Sequence, residues 1–200
     1  MRRLFFLLML GILAETLVGC SQSKPVAPSG KAWLQHKTTL LQLAKWTING
    51  RVGVYTEDEA WPGDLIWKQN QKQYDLRIIA PLGAGNLHIY TVNGGVMLES
   101  SSNPKPYFST DAESLLKKQF GWVLPLDNLR YWIRGIPHPG SPVSGVMEFD
   151  RQGYLRVLNQ SGWKVSFARY KKTGQYQLPG KVLLEQKERS VKIIIRQWSL

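Results

Sequence analysis

The sequence predicts a mainly β fold with helices (α+β), in which about eleven short antiparallel strands build a strongly curved sheet or barrel. Three observations lead there. Apolar residues alternate with period two through much of residues 46–108 and 146–198. Turn pairs such as Asn93-Gly94, Gln152-Gly153, Ser161-Gly162 and Pro179-Gly180 separate these runs, which favours antiparallel pairing over a parallel α/β arrangement. Helical periodicity is confined to two places, one ahead of the strands and one in their middle.

Residues 1–19 read as a secretory signal peptide. Arg2 and Arg3 precede a mostly apolar run from Leu4 to Ala14, and small residues stand at the cut. The run is shorter than the roughly 20 apolar residues a spanning helix needs. Leu17-Val18-Gly19-Cys20 resembles the lipobox of bacterial lipoproteins, which implies cleavage before Cys20, diacylglycerol on its sulfur and acylation of the new amine. Two or more acyl chains give stable anchoring, at about 0.8 kcal/mol per buried methylene. Cys20 is the one cysteine in the sequence, so once it is acylated no disulfide is available and the fold rests on its core. By resemblance to enterobacterial lipoproteins, Ser21 in place of Asp implies sorting to the outer membrane.

Residues 21–30 are rich in Ser, Pro, Gly and Lys without periodicity, so residues 20–30 read as a flexible lipidated tether and 31–200 as a single domain. Residues 31–45 place Trp33, Leu40, Leu41 and Ala44 near one face of a short amphipathic helix. From Trp46 the period becomes two, with Trp46, Ile48, Gly50, Val52 and Val54 on one face of a half-buried strand. A turn through Glu57-Asp58-Glu59 and Pro62-Gly63 leads to a strand at 65–67. Tyr74, Leu76, Ile78 and Ala80 share a face of the next strand. Pro81-Leu82-Gly83-Ala84-Gly85 interrupts it, and a strand resumes over 87–92. Asn93-Gly94 turns the chain back through 96–98, and an extended piece follows at 105–108. Thr110 with Glu113 makes a capping box for a helix that ends near Gly121. A second helix covers 126–134, ahead of a Pro/Gly-rich loop over 136–145. Strands return at 146–150, 154–159, 163–170, 181–187 and 190–198.

Removing residues 1–19 leaves 181, enough for a sizeable core, and lowers the formal net charge from +12 to +11. So basic a chain points to nucleic acid, an anionic membrane or an acidic partner. Export removes nucleic acid from consideration. Lipid, an acidic partner and a generally solvated basic surface stay open. Little supports catalysis. His36, His88 and His138 fall on a predicted helix, a strand and a loop, none with a second metal ligand at useful spacing. The sequence has no Gly-x-Ser-x-Gly elbow and no His-Glu-x-x-His. Gly83-Ala84-Gly85 begins like a dinucleotide loop, but His88 stands where the third glycine belongs. Glu57, Asp58 and Glu59 read as a solvated turn. The residues therefore predict no enzyme, metal or cofactor.

A curved sheet with one apolar face buries that face in a packed core or in a cavity under the helices. The eight tryptophans suit either. Leu82 lies between two good strands, where a turn needs Pro81 and Gly83 but has no use for leucine. It has two destinations: back into the core, or out at a rigid tip. There it gains at most roughly 1.5–3 kcal/mol by entering a bilayer.

A series of short motifs then carries a family resemblance. The lipobox, Asn49-Gly50-Arg51 after Trp46, Ile66-Trp67-Lys68-Gln69, Tyr74-Asp75-Leu76-Arg77 and Ala80-Pro81-Leu82-Gly83 come in order. Arg130, Trp132, Ile133 and Gly135 follow, then Gly162-Trp163-Lys164-Val165 and a closing Gln197-Trp198. No single motif is specific, but their order and spacing over the mature chain resemble LolB, the family of outer-membrane receptors for lipoproteins. The resemblance implies a half-open antiparallel β-barrel with a helical lid over an apolar cavity. It implies a periplasmic carrier, LolA, delivering acylated lipoprotein cargo whose chains pass into that cavity and on into the inner leaflet of the outer membrane. No cofactor takes part. Transfer runs downhill where the receptor binds acyl chains better than the carrier, each 1.4 kcal/mol shifting the partition tenfold. The family's protruding loop leucine maps onto Leu82, which makes Pro81, Leu82 and Gly83 the membrane-insertion loop. Trp46, Trp67 and Trp163 become candidates for the acyl-chain cavity, with Ile48, Val52, Leu76, Ile78, Leu87, Ile89 and Val165 from the same strands. A monomer is the simpler expectation for a transient exchange. The alternative is a structural or assembly lipoprotein whose solid β-core binds another envelope protein.

Overall fold

Trp33 and Leu40 are the buried residues of the first helix, α1 (Gly30–Leu41), and the Trp33 ring meets Phe149 edge-on at 5.0 Å. The computed structural model describes residues 30–57, 59–121 and 123–200; the signal peptide, Cys20 and residues 21–29 of the tether lie outside them. The helix stops earlier than its periodicity predicts. Leu41 is largely exposed and Leu43 is buried in its place, because the chain must turn there to start the sheet.

Period two then builds β1 (Lys45–Tyr55), whose Trp46, Ile48, Val52 and Val54 face inward. Beside Gly50 the partner strand bulges, with Arg196 as the extra residue, and a side chain at Gly50 would collide with the Ile194 carbonyl. β2 (Ala60–Asn70) starts earlier than expected, since Pro62-Gly63 belong to the strand and not to the turn. The next strand, β3 (Gln73–Ile79), reaches only to Asp64, so Pro62 has a neighbour on one side and its missing N–H breaks no ladder on the other. The meander continues through β4 (Asn86–Val92), β5 (Gly95–Ser100) and β6 (Asn103–Ser109).

Helix α2 (Ala112–Phe120) is capped by Asp111 and not by the expected Thr110–Glu113 box. The Asp111 carboxylate accepts from the Glu113 and Ser114 amides at 3.3 and 2.7 Å. Gly121 closes the helix in the left-handed conformation, at φ +73. α3 (Leu126–Trp132) ends two residues short of the expected Arg134. β7 (Glu148–Phe149) keeps only two residues of the predicted 146–150 strand, with Val146 out in solvent. β8 (Leu155–Gln160) and β9 (Trp163–Ala168) follow. The run expected to reach Tyr170 breaks at Arg169, whose φ is +59. A hairpin of β10 (Lys171–Thr173) and β11 (Tyr176–Leu178) stands apart before β12 (Lys181–Gln186) and β13 (Arg189–Ser199) close the chain.

Eleven strands form one antiparallel sheet in the order β6-β5-β4-β3-β2-β1-β13-β12-β9-β8-β7. β6 and β7 are its two ends and do not pair with each other, so the barrel is half open. The helices fill the seam between them. α2 packs on β5 and β6, and α3 is tied to β8. Among the described residues no helix is long and apolar enough to cross a membrane.

Candidate functional site

Register places the predicted apolar residues in rows across the concave face. One row runs Ile48, Trp67, Leu76, Ile89 and Leu98 across β1 to β5. A second joins Leu65, Ile78 and Leu87. On the other half, Val165, Leu184, Val191 and Val54 line up, as do Phe167, Val182, Ile193 and Val52. All ten candidates therefore share the inner face. Trp46, Ile48, Val52, Trp67, Leu76, Ile89, Trp163 and Val165 are buried, and Ile78 and Leu87 are partly buried against them. Trp46 sits in an aromatic cluster, with ring centroids 5.1 Å from Trp67 and 5.4 Å from Trp198. In this structure the chain's own side chains, including Leu115, Leu116, Leu129 and Trp132 from the helices, join the same buried core.

Two buried polar side chains hold the helices in place. Gln160, 0% exposed, accepts from Trp132 Nε1 at 2.8 Å and from the His138 amide at 2.9 Å, and donates to the His138 and Ser141 carbonyls. It ties α3 and the 136–145 loop to β8. Arg134, 5% exposed, donates through Nη1 to the Leu40 and Leu43 carbonyls at 2.8 Å and through Nε to Arg130 O at 3.0 Å. Its guanidinium lies 4.9 Å from the Tyr131 ring centroid. Burial, and repulsion from Arg130, bring its pKa down to about 10, so it stays charged at neutral pH. Beside it, Trp46, Leu41, Leu43, Tyr131, Arg130 and Lys72 line a cavity of about 240 Å³ at the end of the half-barrel that carries the β2–β3 turn. Sequence reasoning missed both clasps; only Arg134, a cation between Ile133 and Gly135-Ile136, hinted at one of them, and Gln160 reads as part of a polar turn.

The opposite end carries the 80–85 loop. Pro81–Gly83 form a single 3₁₀ turn, closed by Ala84 N to Pro81 O at 3.1 Å and by Ala80 N to Gly85 O at 2.9 Å. Leu82 points fully into solvent, at 105% exposure, and its backbone is left-handed with φ +55. Of its two destinations it takes the outer one. That conformation costs a leucine roughly 1–2 kcal/mol relative to the right-handed form, and no burial offsets it. Such an outlier points to use rather than stability.

The remaining predicted polar residues are ordinary by comparison. Glu59 accepts from Trp61 Nε1 at 2.8 Å in the β1–β2 turn, and Asp58 lies outside the described residues. His88 gains partners across neighbouring strands on the outer face: Asp75 Oδ2 and Glu99 Oε2, each at 3.2 Å. Hydrogen bonds from Tyr90 and then His88 hold the Glu99 carboxyl below its usual range. No group of three or more His, Cys, Asp or Glu able to hold a metal occurs among the described residues.

The family model described as outer membrane lipoprotein LolB matches residues 44–198. The chain is 33% identical over 198 residues to the outer-membrane lipoprotein LolB of Nitrosococcus oceani, covering 99% of this chain and 98% of that one. It is 36% identical over 191 residues to the protein of the same name from Pseudomonas syringae pv. syringae, covering 93% and 92%. Among solved structures it is similar to a LolA superfamily protein from Nitrosomonas europaea, with a TM-score of 0.49 and 8% identity over 87% of this chain and 94% of that one.

Proposed function

The chain belongs to the LolB family, and we propose that it passes acyl chains from the covered concave face to the membrane at the Leu82 loop. It is an outer-membrane lipoprotein, a receptor of the Lol pathway. The observation that carries the mechanism is the solvent-projecting, left-handed Leu82 at one end of a half-barrel whose inner face is mostly apolar. A LolA-type carrier presents an acylated lipoprotein, and its chains enter among Trp46, Trp67 and their row neighbours by displacing the α2–α3 cover. The chain acts as a non-catalytic monomer. Acylated Cys20 tethers it through residues 21–30, which keeps Leu82 within reach of the inner leaflet. Leu82 then inserts, opening the headgroup layer where the cargo chains leave.

The test mixes residues 21–200, which contain every described element, with a carrier loaded with an acylated protein, and follows the cargo by pull-down. The cargo is expected on this chain without ATP. Leu82→Glu is expected to capture cargo normally but to deliver it to vesicles poorly. Cargo that stays on the carrier, with no acyl probe bound, would favour the alternative of a solid-cored assembly lipoprotein, to which the filled interior lends weight.

A further inference from the structure

Acyl transfer leaves unused a groove of about 410 Å³ on the outer face of the sheet, beside the Leu82 loop. Its apolar walls include Tyr55, Pro62, Ile79, Pro81 and Ile194, and Arg51, Lys192 and Asp64 supply its charge. Arg51 Nε lies 3.5 Å from Asp64 Oδ1, and Arg196 Nη1 lies 3.4 Å from the same oxygen. Within the groove one carboxylate thus stands against two exposed cations, Arg51 and Lys192, and Arg196 at its margin shares that carboxylate, so the groove keeps a positive excess.

Exposed cations are ordinarily a solvated face; position sets these apart. Pro81 is both a wall of the groove and the residue before Leu82. An apolar tip that enters the headgroup–acyl boundary, some 5–10 Å deep for such segments, brings the groove to the level of the lipid phosphates. Guanidinium forks match phosphate oxygens, and Tyr55, Ile79 and Pro81 suit the glycerol and upper acyl region. The other flank of the same end carries Glu57, Glu59 and Glu188 against the single cation Arg189, beside Gly121, a net negative patch that an anionic surface repels. The two flanks differ in sign, and that difference fixes which one leans on lipid.

We propose that the outer groove of Arg51, Lys192, Arg196 and Asp64 binds the phosphate of an anionic phospholipid and so orients the molecule on the membrane. This rests on the reading of Leu82 as the membrane tip. The test adds residues 21–200 to vesicles of phosphatidylcholine, with or without phosphatidylglycerol, and measures the bound fraction by sedimentation at low and high salt. Phosphatidylglycerol is expected to raise binding, and salt to reverse the gain. Removing two cations in Arg51→Gln with Lys192→Gln is expected to weaken binding tenfold or more, at about fivefold per cation. Asp64→Asn is expected to strengthen it about fivefold, a gain that damaged folding would not produce. Equal binding to both vesicle types, or variants that bind like the wild type, would overturn the proposal. So would a double variant that binds vesicles normally but takes cargo poorly from the carrier, since the groove would then serve a protein. Cargo capture measured without vesicles keeps the two readings apart. A wild type that captures nothing sinks the receptor, whereas normal capture with charge-independent vesicle binding sinks only the groove.

Discussion

The α1–α3 junction and the Leu82 loop each break the rule that charge lies outside and leucine inside, and they break it in opposite directions. At the junction a guanidinium is buried, yet three carbonyls receive its N–H groups and an aromatic ring covers it. The inverted residue therefore finds its hydrogen-bond partners within the chain, and these ties hold two helices together. At the loop a leucine is exposed on a strained backbone, and nothing within the chain returns the cost. The difference teaches how to tell structure from function. Structural exceptions are satisfied within the molecule; functional ones wait for something outside it.

That comparison can be broken at either end, and the largest effect falls on the satisfied side. Gln160→Leu strands the Trp132 indole and His138 amide donors and two carbonyls, and should lower stability by roughly 4 kcal/mol in urea unfolding, at 1 kcal/mol or more per group. Arg134→Leu frees two buried carbonyls and one partly buried one, and should cost roughly 2–3 kcal/mol in the same measurement. If either variant were as stable as the wild type, the clasps would not hold the helices. On the other side the sign reverses. Leu82→Gly removes the strain and should raise stability by about 1 kcal/mol while cargo delivery to vesicles falls. A leucine that stabilises the fold would erase the contrast.

His36 sharpens the comparison as an intermediate case, with the smallest effect. Its Nε2 is buried without a hydrogen-bond partner, and its ring lies between Trp33 and Tyr154. Burial lowers its pKa, against an opposing pull from Asp150. A folded pKa below the unfolded value near 6.5 means the unfolded chain takes up the proton first. The stability is therefore complete above pH 6.5 and is lost as pH falls toward the folded value. Urea midpoints at neutral and mildly acid pH should differ less for His36→Phe than for the wild type.

All eleven strands of the large sheet were legible, because period two and turn pairs are local signals. The departures are places where a neighbour decides. Pro62-Gly63 look like a turn until β3 is seen to stop at Asp64. Thr110 and Asp111 both look like caps, and only the carboxylate of Asp111 faces the free amides. The small β10–β11 hairpin was hidden because Arg169 carries no sequence mark of its left-handed backbone. The candidate site was legible as a face: all ten apolar residues lie on it, and Leu82 lies outside it. Arg134 was not, since its partners at Leu40 and Leu43 are about ninety residues away in sequence. The His88–Glu99 contact was within reach, because counting outward from the Asn93-Gly94 hairpin sets those two residues opposite each other.

The unpaired β6 and β7 have a mechanical consequence. A closed barrel has its girth set by strand number and shear, and widening it means breaking hydrogen bonds along a whole ladder. Here the circumference is interrupted by a seam that helices bridge through side chains, so the ring behaves as a spring clip and not as a hoop. Widening it means sliding apolar surfaces and releasing the side-chain clasps at Gln160 and Arg134, without breaking a strand ladder. Pro104 and Pro106 on the free edge of β6 let it stand ajar without recruiting a stray strand from another protein.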